Sequence, residues 1–121
     1  MTRVLAVCRS VDLPDGESRG FDPLGAGRDS MFIVRRGDTV HGWLDACPHW
    51  GGTQLPWRRH AYLSGDRQHI VCSAHGARFD IQTGECVLGP CLGQSLTPVP
   101  LIHGEDGVLR IAACTLQETN P

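Results

Sequence analysis

Apolar residues in this chain fall in short runs, broken every few positions by glycine, proline, aspartate or serine. Val4–Cys8 is the first β-prone run. Leu13–Asp29 follows, rich in Gly, Pro, Asp and Ser, and reads as a long loop. Met31–Arg35 predicts a second strand, Gly37-Asp38 a hairpin turn and Thr39–Leu44 the returning partner. His69–Val71 predicts another short strand, and Arg78–Ile81 and Glu85–Leu88 a hairpin around Gln82-Thr83-Gly84. Gly89-Pro90-Cys91-Leu92-Gly93 requires a tight, irregular loop. Leu96–Ile102 carries Pro98 and Pro100, which limits it to an edge strand. Glu105-Asp106-Gly107 is a turn and Val108–Ala112 a closing strand. Helical periodicity is missing, although Thr53–Tyr62 has room for a short helical turn. The tail Glu118–Pro121 is expected to fray. The pattern has no internal repeat, and the fold class it predicts is all-β, built from small antiparallel sheets.

Composition narrows the function classes. A chain of 121 residues is enough for one domain with a core, here expected to span 1–121. A net charge of −2 argues against non-specific nucleic-acid binding. No apolar run approaches the length of a membrane span. Met1–Cys8 loosely resembles a lipoprotein cleavage box but has no apolar stretch for export machinery to read, so the expected location is cytoplasmic. Six cysteines in that setting point to reduced thiols and metal ligation, not to a disulfide framework. The sequence offers no nucleophile–base pair and no glycine-rich nucleotide fingerprint, and an enzyme is not expected.

Candidate chemistry concentrates in Cys47-Pro48-His49 and Cys72-Ser73-Ala74-His75. Each cluster pairs one thiolate donor with one imidazole donor. Small residues follow closely, Gly51-Gly52 after the first and Gly76-Ala77 after the second, and let backbone N–H groups approach sulfur. Both clusters fall at strand ends in different hairpins, so the two loops can meet tip to tip. Two sulfurs and two nitrogens suit zinc, or a two-iron cluster with cysteines on one iron and histidines on the other.

The residues resemble the Rieske-type [2Fe–2S] proteins, whose motif is Cys-x-His in one loop and Cys-x-x-His in the other. C-P-H-W-G-G and C-S-A-H-G-A match it, R-F-D-I-Q-T-G-E resembles the strand and turn that follow, and G-P-C-L-G with L-T-P-V-P resembles the proline loop. The resemblance implies that Cys47 and Cys72 bind the inner iron and His49 and His75 the outer one, within a cluster-binding part covering about 45–92. It implies one [2Fe–2S] cluster per chain as cofactor. The connection between the loops is longer than usual in the family, with the excess around Pro56–Tyr62. High-potential members carry an extra loop cysteine pair and serine and tyrosine hydroxyl donors. The matching positions here are Gly52, Ala74, Ala77 and Phe79. Lost donors leave the reduced cluster less stabilised, which implies the low end of a range of roughly −150 to +300 mV.

The function implied is that of a soluble ferredoxin, taking single electrons from a flavoprotein reductase to a terminal oxygenase such as an aromatic-ring-hydroxylating dioxygenase. The alternative is a Rieske-like small subunit of a larger redox enzyme such as nitrite reductase. Neither nucleic acid nor membrane is an expected partner. Trp50 beside His49 suits either shielding or docking. Arg58, Arg59, His60 and Arg67 make the connection locally basic, and Arg58 and Arg59 are expected to help choose a partner. Cys86 and Cys91 have the spacing of a conceivable disulfide.

Overall fold

Nine short strands, arranged as three antiparallel sheets of three, carry the described residues of the computed structural model, which are 3–48, 54–56, 58–73 and 76–117. The strands are β1 (Val4–Arg9), β2 (Ser18–Phe21), β3 (Met31–Arg36), β4 (Thr39–Leu44), β5 (His69–Cys72), β6 (Ala77–Asp80), β7 (Cys86–Leu88), β8 (Ile102–His103) and β9 (Val108–Ala112). Their sheet orders are β1-β9-β8, β2-β3-β4 and β5-β6-β7, so the chain's two ends close one sheet together.

Most of the expected strands are present within a residue or two. Three differences have physical causes. The Leu13–Asp29 loop contains β2, whose Ser18-Arg19-Gly20-Phe21 pairs with β3. Glycine is needed at its third position, because a Cβ there would lie 2.6 Å from both the Asp29 carboxylate and the Tyr62 hydroxyl. Leu96–Ile102 does not form the expected edge strand. Its two prolines restrict it to a single bridge between Trp43 and Pro98, and regular pairing resumes only at Ile102. A short helix, α1 (Cys114–Gln117), follows β9, in a segment without helical periodicity. The expected helical turn in Thr53–Tyr62 is a plain turn at Arg58–Ala61, where Ala61 N–H donates to Arg58 C=O at 3.0 Å. Thr53 and Trp57, and the tail expected to fray, lie outside the described residues.

Strand β3 divides two cores. Phe32 and Val34 point into one with Trp43, Leu55, Tyr62, Ile70, Phe79, Ile81 and Leu96. Met31 and Ile33 point into the other with Leu13, Leu44, Val99, Leu109, Ile111 and Leu116. These four of the six β3 residues are fully buried, as expected for a strand segment covered on both faces. The first core also holds Cys47, Cys72, Cys86 and Cys91, so it directly supports the candidate site.

Candidate metal centre

Cys47 lies just beyond β4, in a segment held on two sides. Leu44 N–H donates to Thr97 C=O (2.9 Å) and Asp45 N–H to Ser30 C=O (3.0 Å). Cys72 is the last residue of β5 and pairs with Ala77 across the β5–β6 hairpin. The turn of that hairpin is the second cluster loop. It closes through Gly76, which donates its N–H to Cys72 C=O at 2.8 Å and sits at φ 70°, a conformation that favours glycine. Cys47 and Cys72 are almost completely buried, at 1% and 0% exposure.

The two loops share a backbone link at Leu55. Its N–H donates to Asp45 Oδ1 (2.8 Å) and its C=O accepts from Ser73 N–H (2.8 Å). One residue thereby ties the exit of the first loop to the start of the second. Asp45 is buried and receives two further hydrogen bonds, from Tyr62 Oη–H (2.7 Å) and Gln54 Nε2–H (3.4 Å). Burial pushes the Asp45 carboxyl above the usual carboxylate range, partly offset by the Leu55 and Tyr62 donors. Burial, then the Asp45 charge, raises the Tyr62 phenol well above its ordinary value. No local pattern announces the Asp45–Leu55–Tyr62 set, since its partners are brought together only by tertiary packing.

The long connection between the loops is anchored, not loose. Tyr62 stacks on Phe32 with ring centroids 4.1 Å apart, and its C=O accepts from Val71 N–H at 2.8 Å. Arg59 makes a bidentate pair with the buried Asp29 (Nε to Oδ2 3.0 Å, Nη2 to Oδ1 3.1 Å). His60, at φ 71°, accepts from Gly20 N–H at Nδ1 (3.0 Å) and from Ser18 Oγ at its carbonyl (2.8 Å). Arg67 pairs with Glu17. The Arg59 side chain, 68% exposed, thus also ties the connection to Asp29 in the β2–β3 loop.

The loop Gly89–Gly93 packs against the start of β6. Gly89, at φ 105°, lies against the second cluster loop so tightly that a Cβ would come within 2.9 Å of Ala77 Cα. Cys86 N–H donates to Gln94 C=O (2.9 Å) and Gln94 N–H to Cys91 C=O (2.8 Å), which folds Cys91 back beside Cys86. The buried Cys91 packs into the same core as Cys47 and Cys86. Burial first, then the neighbouring Cys47 and Cys86, push its thiol up to about 12. The described residues include all six cysteines, and none forms a disulfide, including the conceivable Cys86–Cys91 pair.

The buried cysteines fit an iron–sulfur group. Soft sulfur donors sit at the mouths of two glycine-containing loops that are tied together, in an apolar surround that raises the stake of every N–H aimed at them. His49, His75, Trp50, Gly51, Gly52 and Ala74 lie outside the described residues. Among the described residues no group of three or more His, Cys, Asp or Glu is arranged to hold a metal ion.

The family model described as the Rieske [2Fe–2S] domain matches residues 3–109. The chain belongs to the Rieske [2Fe–2S] domain family. Its cofactor is accordingly a [2Fe–2S] cluster. Among solved structures, this Rieske chain is similar to the ferredoxin of carbazole 1,9a-dioxygenase from Nocardioides aromaticivorans IC177, with 24% identity, a TM-score of 0.68, and 90% of this chain and 96% of that one covered. A chain from a complex of reduced oxygenase and oxidised ferredoxin in carbazole 1,9a-dioxygenase shares 26% identity at a TM-score of 0.68, covering 90% and 92%. A Mycobacterium tuberculosis protein named as an NADH-dependent nitrite reductase small subunit shares 18% identity at a TM-score of 0.63, covering 93% and 96%. No curated protein sequence matches the chain. Among the described residues no helix is long and apolar enough to cross a membrane.

Proposed function

We propose that this protein is a Rieske-type ferredoxin, carrying single electrons from a flavoprotein reductase to a terminal oxygenase such as an aromatic-ring-hydroxylating dioxygenase. The observation that carries this is the extent of the likeness. It spans 92–96% of the carbazole dioxygenase ferredoxin-system chains but only 29–31% of oxygenase chains with the same local fold. The work is electron transfer, not catalysis. The bound cluster accepts and releases one electron. Cys47 and Cys72, buried in the apolar core, would hold the inner iron, and His49 and His75 would hold the outer one. Supporting this assignment are the burial of both cysteines and the loop motif in which each cysteine is followed by a histidine. Leu55, fixed by Asp45, keeps the two loops in one geometry, so little reorganisation accompanies each transfer. The whole of 1–121 acts as one domain, with the cluster-binding part at about 45–92, and works in the cytoplasm, where its thiols stay reduced.

Anaerobically purified protein should contain iron and acid-labile sulfide in equal amounts, about two of each per chain. Its reduced form should give a rhombic EPR signal of mixed Cys/His ligation. Stoichiometric zinc without iron would overturn the assignment, and so would a retained cluster in Cys72→Ser. The second reading, a small subunit of a nitrite-reductase-like enzyme, is favoured by the likeness to the Mycobacterium tuberculosis protein. Tight co-purification with a large subunit would support it over a free carrier.

A further inference from the structure

Two adjoining clefts, about 490 and 470 Å³, lie along the long connection and share Arg58 and Arg59 as a common wall. Arg28 completes the basic lining of the first and Arg67 that of the second. Carboxylates of Glu17, Asp22, Asp29 and Asp45 line the same clefts, so the flank holds no excess of charge. Its charges are layered instead. Asp29 and Asp45 are buried, and Asp29 is engaged by Arg59. The half-buried Asp22 carboxylate accepts the N–H groups of Ala26 (2.9 Å) and Gly27 (2.8 Å) in its own loop, and the half-buried Glu17 is held by Arg67. All four arginines are exposed. A body that touches this face therefore meets guanidinium first, in a chain whose net charge is −2. The first cleft is also walled by Gln54 and Pro56, the neighbours of Leu55, whose C=O holds Ser73 beside Cys72. The basic face thus comes up against the segment that fixes the second cluster loop.

One electron adds one negative charge to the site. An acidic partner seated on this flank repels the reduced carrier more than the oxidised one. It binds the carrier before the electron passes and releases it afterwards, the order that a donor requires and an acceptor reverses. We propose that the face built by Arg28, Arg58, Arg59 and Arg67 docks an acidic surface of the flavoprotein reductase, and that the delivered electron weakens this contact. The inference rests on the carrier reading above. In the step, the reduced flavin gives up one electron and the oxidised cluster takes it, with no bond made or broken. Electron-transfer contacts are small and brief, so exposed charge governs their rate more than buried area does.

The test uses holoprotein and the flavoprotein purified from the same cells by its ability to reduce wild type at the expense of a reduced nicotinamide nucleotide. Stopped-flow reduction is compared for wild type, Arg28→Glu with Arg58→Glu, and Arg3→Glu with Arg9→Glu. The last pair makes the same charge change at exposed arginines that line neither cleft. The Arg28/Arg58 variant leaves the Arg59–Asp29 pair in place, so its iron content and visible spectrum should match wild type. Its second-order rate should fall about five- to tenfold at about 0.01 M salt and return to within about twofold of wild type at about 1 M. Arg28→Gln with Arg58→Gln, which serves if charge reversal prevents folding, should lose about half as much on a logarithmic scale. Reduction of the Arg3/Arg9 variant, and re-oxidation of the Arg28/Arg58 variant by the terminal oxygenase, should stay within about twofold of wild type. Oxidised holoprotein should bind the reductase several-fold more tightly than dithionite-reduced holoprotein. By linkage, the reductase should shift the one-electron equilibrium toward the oxidised state by the same factor. Wild-type rates in the Arg28/Arg58 variant at every ionic strength would overturn the proposal. So would an equal loss in the Arg3/Arg9 variant, a larger loss in re-oxidation than in reduction, or equal affinity for the two redox states. Failure of the carrier reading is distinguishable, because no flavoprotein would then reduce even the wild type, which sinks both.

Discussion

Replacing Asp45 by alanine removes the side chain that fixes Leu55, and the structure sets the size of the effect. Two of its three donors, Leu55 N–H and Tyr62 Oη–H, belong to residues with 0% exposure. Water cannot replace the lost acceptor at either one without repacking. An orphaned buried donor costs about 1–3 kcal/mol, so the two together cost about 2–6 kcal/mol. Against this stands the relief of burying a carboxylate, whose raised pKa shows that burial opposes its charge. That relief also follows Asp45→Asn, which keeps an oxygen for Leu55 N–H and lets the Tyr62 hydroxyl rotate. Asp45→Ala should therefore destabilise by about 2–4 kcal/mol and Asp45→Asn by less than half as much. Because Leu55 C=O also holds Ser73 N–H, the loss should reach the second cluster loop. Urea titrations followed in parallel by far-ultraviolet circular dichroism and visible absorbance would measure both. In Asp45→Ala the visible bleaching should precede the loss of strand signal. A shift in stability below about 0.5 kcal/mol, or coincident transitions in the variant, would refute the idea that Leu55 joins the loops through this carboxylate.

Three further outcomes are expected. Gly84→Ala places a Cβ 2.5 Å from the Trp43 ring at φ 74°, so it should destabilise by about 2–4 kcal/mol in the same titration, whereas Gly16→Ala, with open space around it, should lose only the backbone part. His60 is neutral at Nδ1 to accept from Gly20, and burial, then Arg59, lowers its pKa below 6.5. A base with a depressed folded pKa contributes stability that is fully present above 6.5 and is lost as pH falls through the folded value. Urea midpoints should thus drop as pH falls below about 6.5, and His60→Asn, which tolerates positive φ, should flatten that drop; an unchanged slope would contradict it. Ala77→Ser and Phe79→Tyr should each raise the reduction potential by tens of millivolts on the order seen for outer hydrogen bonds, from a wild-type value at or below about −100 mV; voltammetry reading above about +100 mV for wild type would refute the low-potential assignment.

The hairpins were legible because their alternation and turn residues are local. Met31–Arg36 and Thr39–Leu44 surround Gly37-Asp38, and Ala77–Asp80 and Cys86–Leu88 surround Gln82-Thr83-Gly84. The loop motif was legible because ligand spacing is a property of a few adjacent residues. What stayed hidden depends on distant partners. Strand β2 reads as loop until Asp29 and Tyr62 are seen filling the space that Gly20 leaves. The anchoring of the basic connection stays hidden until Arg59 is seen bound to Asp29 and Tyr62 to Asp45. The gathering of Cys47, Cys72, Cys86 and Cys91 in one core joins segments that no local pattern connects.

Strand β3 has a consequence for alignment errors during folding. In a strand with one wet face, a slip of one residue drives apolar side chains into water, and that penalty guards the pairing. Here a slip would only exchange Phe32 and Val34 with Met31 and Ile33, apolar for apolar, between two dry cores. Hydrophobicity cannot police this strand, so polar and steric markers at its margins must. Arg35 Nη1–H bonds Ser10 C=O at 2.8 Å and Leu13 C=O at 3.2 Å, contacts that survive only if Arg35 keeps its side of the strand. Across the hairpin, Gly42 faces Ile33 and leaves room for Val99 C=O, which would lie 2.6 Å from any Cβ there. A shift of β4 would put His41 or Trp43 in that place. The correct pairing of the strand at the centre of the molecule is thus checked by one arginine and one missing methyl group, and the segment leading to Cys47 inherits its position from that check.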